Sequence, residues 1–139
     1  MEIVAALFVE NIEFRPAPGP STRIDITGAF FSTAVDTFPA RLTPHLVVLV
    51  RSPLGTTGDG TLETVFTAAD GSEVARNVQA FTVEPGKFGY RLVRPELDFA
   101  EPGTIEARCR ITETGSRSEE HTSELQSHHD LVCRLLLEK

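Results

Sequence analysis

The stretch His45-Leu46-Val47-Val48-Leu49-Val50-Arg51 decides the fold. Its five consecutive apolar residues, three of them valine, are typical of a β-strand. Successive side chains of a strand point to opposite faces of its sheet, so both faces of this strand are apolar. The stretch therefore predicts a central strand that is covered on both sides.

Short runs rich in β-branched and aromatic residues lie on either side of this strand, and glycine and proline separate them. Gly28 interrupts one run and predicts a bend or bulge. Asp70-Gly71 separates two others and predicts a hairpin turn. Leu97 and Phe99 lie in a connection and are expected to plug the end of the core. The other predicted strands cover residues 3–14, 23–27, 61–68, 73–84, 87–93 and 104–112.

About seven strands within 116 residues, with frequent turn signals, predict an immunoglobulin-like antiparallel β-sandwich. An open barrel is the alternative. No run in residues 1–116 combines helical periodicity with helix caps. Residues 38–44 and 95–103 are interpreted as loops, because prolines bound or interrupt both.

The charge of the chain disfavours nucleic acid as a partner. Residues 1–116 carry 10 Lys/Arg and 15 Asp/Glu, a net charge of −5, and show no basic cluster. The apolar start lacks a basic region and a cleavage site, and no segment is long enough to cross a bilayer. We therefore expect a cytoplasmic protein that binds neither nucleic acid nor membrane. The two cysteines, Cys109 and Cys133, imply no disulfide framework.

Residues 5–11, 38–41, 45–50 and 99–103 resemble an uncharacterised family of short bacterial all-β proteins, a domain of unknown function. The resemblance covers most of residues 1–112. It implies no activity and transfers no functional residue. Members of that family continue past the position of Thr112 through a tight turn into a last strand. The resemblance therefore implies a domain that lacks its closing strand and leaves an exposed sheet edge.

The final segment, residues 117–139, resembles the translation of a common short-read sequencing adapter, codon for codon and without a gap. Residues 117–127 and 131–137 match the constant parts of that DNA, and residues 128–130 fall on its sample barcode. We interpret residues 1–116 as the β-sandwich domain and residues 117–139 as a non-native tail. Such a tail is expected to be poorly ordered or to lie against an exposed strand edge.

The tail also contains residues of the kind that bind metal ions. Three of the four histidines lie there, close to a cysteine and two carboxylates, which together suggest zinc. The spacing matches no standard zinc signature. We therefore assign no metal ligand, and the residues set aside are His121, His128, His129, Cys133, Glu120 and Asp130.

The body offers weak candidates for catalysis. His45 is a lone histidine, interpreted as a strand-end residue at the surface. Cys109 is expected to be a small core residue. Arg108 and Arg110 are expected to face solvent, with Arg91 on a neighbouring strand. Carboxylates that could pair as an acid and a base, or bind calcium through oxygen ligands, are Asp25, Asp36, Asp59, Asp70, Glu96, Asp98 and Glu101.

None of these carboxylates has a partner that the sequence fixes, and Asp59 and Asp70 are interpreted as turn formers. No catalytic, cofactor-binding or metal-binding residue is assigned, and no cofactor is expected. The preferred hypothesis is a non-enzymatic module for protein interaction or assembly. The alternative is a domain that binds a small ligand, either a sugar or calcium, and an enzyme with a loop-borne acid pair ranks last.

Overall fold

The computed structural model describes residues 1–19, 22–55, 57–113 and 130–138. Within these ranges the chain forms eleven β-strands and no helix, which confirms the all-β prediction. In chain order they are β1 (Glu2–Pro16), β2 (Thr22–Ala29), β3 (Ser32–Ala34), β4 (Ala40–Leu42), β5 (His45–Arg51), β6 (Asp59–Ala68), β7 (Glu73–Thr82), β8 (Phe88–Val93), β9 (Leu97–Phe99), β10 (Gly103–Glu113) and β11 (Asp130–Glu138).

The strands form two main sheets and one small one. The first sheet has the order β2-β1-β5-β8, and the second has the order β3-β11-β10-β6-β7. Strands β4 and β9 pair separately, and one apolar core joins the two main sheets. This is the predicted sandwich, and neither main sheet closes into a barrel.

Seven of the eleven strands correspond to the seven that the sequence predicts. Two of the other four, β4 and β9, lie in segments interpreted as loops, and β3 is equally short at three residues. Each of these three is too short to show a period-two pattern, so alternation alone does not reveal it. The fourth, β11, lies within the segment that resembles adapter DNA.

The core lies between the two main sheets. β5 contributes Leu46, Val48 and Val50, each fully buried, and its bounds are those predicted. β10 contributes Ile105, Ala107, Cys109 and Ile111, the alternating face that the sequence predicts. Leu97 and Phe99 are buried in β9, which confirms that this connection plugs the core.

The predicted turns are also confirmed. β6 and β7 pair antiparallel around Asp70-Gly71, and Gly71 has a φ of 89°. The Asp70 carboxylate accepts hydrogen bonds from the Ser72 backbone N–H (2.9 Å) and hydroxyl (2.6 Å). These bonds hold the turn closed and lower the pKa of Asp70. Asp70 is therefore a turn former, as interpreted.

Candidate interaction surface

The outer face of the first sheet, which points away from the core, is apolar. Because side chains alternate along each strand, the residues between the core positions of β1, β5 and β8 face outward. The register aligns Leu7 with Val47 and Val47 with Leu92, and it aligns Ala5 with Leu49 and Leu49 with Tyr90. We call this face the apolar outer face; its members are Ala5, Leu7, Val9, Val47, Leu49, Tyr90 and Leu92.

A hairpin arm covers part of this face. We define the arm as residues 10–16 of β1 and 22–28 of β2, which extend beyond the last β1–β5 pair at Val9 and His45. The Phe14 ring, on the arm, lies 5.6 Å from the Tyr90 ring on β8, with the two planes tilted by 36°.

This ring contact requires the arm to fold back. Across β5, the register places Tyr90 of β8 level with Ala5 of β1. Ala5 lies nine residues before Phe14 in the same strand. Nine residues of a straight strand would separate these positions by about 30 Å. The arm therefore bends over the outer face, and Val9 and Val47 beneath it are 0% and 1% exposed. The prediction that β5 is covered on both sides is confirmed at Val47.

Gly28 explains where the arm bends. It lies opposite Glu10. Its φ of 70° is a left-handed backbone conformation that residues other than glycine adopt only at an energetic cost. A Cβ atom at Gly28 would also come within 2.4 to 2.9 Å of the Glu10 side chain. The predicted bend at this glycine is confirmed. Beyond it, an ion pair between Arg15 and Asp25 (2.8 Å) joins the two strands of the arm.

Large apolar side chains remain exposed around the arm. Phe14 is 55% exposed and Phe88 is 68% exposed, while Ile26 on the arm is 36% exposed. We call Phe14, Ile26, Phe88 and Tyr90 the aromatic patch. Aromatic side chains are enriched at protein interfaces, because they bury a large area in few rotatable bonds.

The outer face of the second sheet is different in character. Arg76 pairs there with Glu63 and Glu73, and Arg134 on β11 pairs with Glu106 on β10 (3.0 Å). Ion pairs of this kind are typical of a solvated sheet face and contribute little stability. The apolar outer face of the first sheet and this charged face lie on opposite sides of the sandwich.

Arg91 does not share a sheet face with Arg108 and Arg110, contrary to expectation. Arg108 and Arg110 are exposed on β10, as predicted, but Arg91 lies on β8 in the first sheet. Its guanidinium lies 5.3 Å from the centroid of the Phe81 ring, a cation–π contact between the two sheets. The expectation for Arg91 is wrong because strand order, which places β8 beside β5, is not visible in local alternation.

His45 is not the surface residue that the sequence suggests. It is half-buried at the start of β5, and its Nδ1 atom is enclosed without a hydrogen-bond partner among the described residues. The side chain faces outward beside Val9, near the bend of the arm. Tertiary packing therefore encloses a residue that local sequence places at an exposed strand end.

Two of the candidate carboxylates do come together. Arg41 donates a hydrogen bond from Nε to Asp98 (2.7 Å) and lies 3.7 Å from Glu96. The side-chain hydrogen bond from Arg41 holds the pKa of Asp98 below its ordinary value. A general acid needs the opposite shift, because it must hold its proton near neutral pH. This pair is a surface ion-pair cluster rather than an acid–base couple.

The other candidate carboxylates lie apart. Asp25 pairs with Arg15, and Asp59 accepts a hydrogen bond from the Thr82 hydroxyl (2.9 Å) on the neighbouring strand. Asp59 thus lies at the start of β6 rather than in a turn. Asp36 and Glu101 are exposed. Across the described ranges, no three His, Cys, Asp or Glu residues lie close enough to hold a metal ion.

Most of the apparent zinc cluster in the tail lies outside the described residues, namely His121, His128, His129, Glu120 and the side chain of Asp130. Cys133 is described and is half-buried on β11. Burial raises the pKa of its thiol to about 12, and burial raises that of the Cys109 thiol to about 11. Cys109 is 0% exposed, which confirms it as a core residue. Neither thiol is ionised near neutral pH, so neither is an activated nucleophile.

Local sequence patterns do not reveal the aromatic patch. Phe14 and Tyr90 are 76 positions apart, and their contact depends on the bend at Gly28. One sequence feature does indicate that an element covers the first sheet. Because β5 is apolar on both faces, another element is expected to lie against its outer side.

Comparison with known protein families found no family model that matches the chain. No significant match was found among curated proteins. In the part of the chain that the structure describes, no helix is long and apolar enough to cross a bilayer.

Proposed function

We propose that this chain is a non-enzymatic β-sandwich module that binds another protein through its aromatic patch and contributes to an assembly. The observation that carries the proposal is the exposure of Phe14 and Phe88 at the rim of the apolar outer face. Exposed apolar groups that lie together on a folded domain mark surfaces where another protein excludes water.

Charge supports a protein partner. On the outer face of the second sheet, Arg76 and Arg134 are held in cross-strand ion pairs, whereas on the first sheet the Phe14 ring lies against the Tyr90 ring. Charged groups lie beside Phe88. Arg51, directly opposite it in the register, pairs with Glu2 (2.7 Å), and Lys87, which precedes it in sequence, pairs with Glu84 (2.6 Å). An apolar centre with charged groups at its rim is the usual anatomy of a protein interface.

The proposal is tested by measuring association with a matched pair of variants. Phe88→Asp places a charge within the aromatic patch, and Val78→Asp places one on β7, where Val78 is 57% exposed on the charged face. We expect the full chain to self-associate or to retain a specific partner from the source cell, and Phe88→Asp to lose that association. Val78→Asp should keep it.

A wild-type chain that stays monomeric at high concentration and retains no partner would contradict the proposal. Equal loss of association in both variants would also contradict it, because the effect would then follow charge rather than surface. The alternative hypothesis, a sugar- or calcium-binding domain, makes a separate prediction: calcium or a sugar would raise the melting temperature of the wild-type chain.

A further inference from the structure

A cavity of about 290 Å³ lies where β1 leaves the core and continues into the arm. β1, β3, β4 and the connection between β4 and β5 all contribute to its lining. Val9 and Pro44 are buried in this lining, while Phe30, Thr33 and Leu42 are half-buried. The volume is close to the lower end of the range for small-molecule sites, so the cavity suits a small ligand rather than a protein segment.

Glu10 is the charged residue of the cavity lining, and its side chain is exposed. No cation among the described residues pairs with it. The neighbouring Gly28 leaves room for its carboxylate, because a Cβ atom at Gly28 would lie 2.4 Å from Glu10 Oε1. The missing Cβ therefore lets the Glu10 carboxylate lie against the backbone of the arm at the cavity, with its negative charge unpaired.

A second polar group beside the cavity also lacks a partner. His45 follows Pro44 in sequence and lies opposite Val9 in the register, and both of these neighbours line the cavity. The Nδ1 atom of His45 is enclosed, with no hydrogen-bond partner among the described residues. Buried polar atoms usually have a partner, and an unprotonated Nδ1 accepts a hydrogen bond. An N–H donor is therefore the group that both Glu10 and His45 lack.

We propose that this cavity binds a small organic ammonium ion. Its positively charged group pairs with the Glu10 carboxylate, and its apolar group packs against Phe30 and Leu42. Phe14 and Phe88 are not part of the cavity lining. The site therefore differs from the aromatic patch, and the inference goes beyond the proposed function.

Three features select this class of ligand. An ammonium group carries a positive charge and three N–H donors, and hydrogen bonds between ionised groups are stronger than those between neutral groups. The chain has a formal net charge of −7, which favours the approach of a cation over that of an anion. The apolar part of the lining, with Phe30 and Leu42, favours an organic ammonium ion over the ammonium ion itself, because burial of the organic group removes apolar surface from water.

The test titrates the full chain with phenethylammonium and follows the backbone amide NMR signals. We expect saturable shifts at Thr33 and Thr43, which line the cavity. Phenethyl alcohol has a hydroxyl in place of the charged group, and the ammonium ion lacks the apolar group, so each should bind at least about 10-fold more weakly. Phenylacetate, which carries the opposite charge, should not shift these signals. Equal binding of the alcohol, of phenylacetate or of the ammonium ion would overturn the proposal.

Glu10→Gln tests the charge, because it keeps the size of the side chain and removes the carboxylate. We expect it to weaken the binding of phenethylammonium by at least about 10-fold. Glu13→Gln is the matched control: Glu13 is exposed on the same strand, outside the cavity lining, and its substitution changes the net charge by the same amount. This control should bind like the wild type. Equal weakening in both variants would show that net charge attracts the probe, and would overturn the site.

Phe88→Asp separates this proposal from the proposed function. Phe88 lies outside the cavity lining, so this variant should lose the protein association and still bind phenethylammonium like the wild type. A wild-type chain that associates through the aromatic patch but shows no saturable shift with phenethylammonium would overturn the cavity site alone. Saturable binding that Glu10→Gln leaves unchanged would likewise overturn it, since the ligand would then not pair with the carboxylate.

Discussion

The bend of the arm can be tested with one substitution, Gly28→Ala. Gly28 has a φ of 70°, where an L-residue pays about 1–2 kcal/mol. The new Cβ would also meet the Glu10 side chain, but Glu10 is exposed and can rotate away. We therefore expect a destabilisation of about 1–2 kcal/mol, which lowers the ratio of closed to open arm by about 5- to 30-fold.

Tyrosine fluorescence measures this effect directly. Tyr90 is the only tyrosine in a chain without tryptophan, so all of the emission comes from the residue that the arm covers. Opening of the arm removes Phe14 from the Tyr90 ring and admits a soluble quencher. Acrylamide should therefore quench Gly28→Ala more strongly than the wild type, and urea unfolding should show the loss of stability.

Gly71→Ala is the matched control. Gly71 also has a positive φ, 89°, but a Cβ atom added there would meet no other atom within 4 Å, and the residue lies in the β6–β7 turn. Its substitution should cost a similar free energy of unfolding without changing the quenching of Tyr90. Acrylamide quenching of Gly28→Ala equal to that of the wild type, or an equal increase in both variants, would contradict the role of Gly28 in the bend.

Three further substitutions test the core, the turn and the buried thiol. Leu135→Ala should lower the free energy of unfolding by about 2–5 kcal/mol, and Leu136→Ala should lower it by less than about 1 kcal/mol. Urea titration measures both, and equal losses would contradict the burial of β11. Asp70→Ala removes two hydrogen bonds to Ser72 and should lower the free energy of unfolding by about 0.5–1.5 kcal/mol. A thermal melt measures this loss, and an unchanged melt would show that the turn closes without these bonds. Burial raises the pKa of Cys109 from 9.0 to about 11, so the unfolded state releases this proton first and stability falls as the pH rises through that window. Cys109→Ala should therefore lose less stability than the wild type across this window, by up to about 1.4 kcal/mol per pH unit in urea titrations, and parallel losses would contradict the shift.

The sequence predicted the strands that have a clear local pattern. β5 is apolar over the five residues 46–50, and β10 alternates over residues 105–111. Gly28 and Asp70-Gly71 carry backbone preferences that do not depend on distant residues. The core role of Cys109 also follows from alternation, because its neighbours Ala107 and Ile111 lie on the same face. These predictions hold because the physics behind them acts within a few residues.

The features that local patterns do not predict depend on contacts between segments that are distant in sequence. Nothing near Arg91 indicates that it lies against Phe81, because that contact requires β7 and β8 to meet at the open side of the sandwich. A second bond closes this side, from the Gln79 side-chain amide to the Leu92 carbonyl (2.9 Å). The same holds for His45, because its enclosure comes from tertiary packing and not from its place at the strand end.

The aromatic patch follows from one property of the first sheet, which is that β5 is apolar on both faces. Its inner face packs into the core, and the arm covers its outer face only in part, so Phe14 and Phe88 remain exposed. On the second sheet the outer face carries ion pairs, and β11 already pairs with β10 on the side away from β6. The proposed protein partner would therefore meet the first sheet through side chains, so Phe88→Asp should disrupt the contact and Val78→Asp should leave it intact.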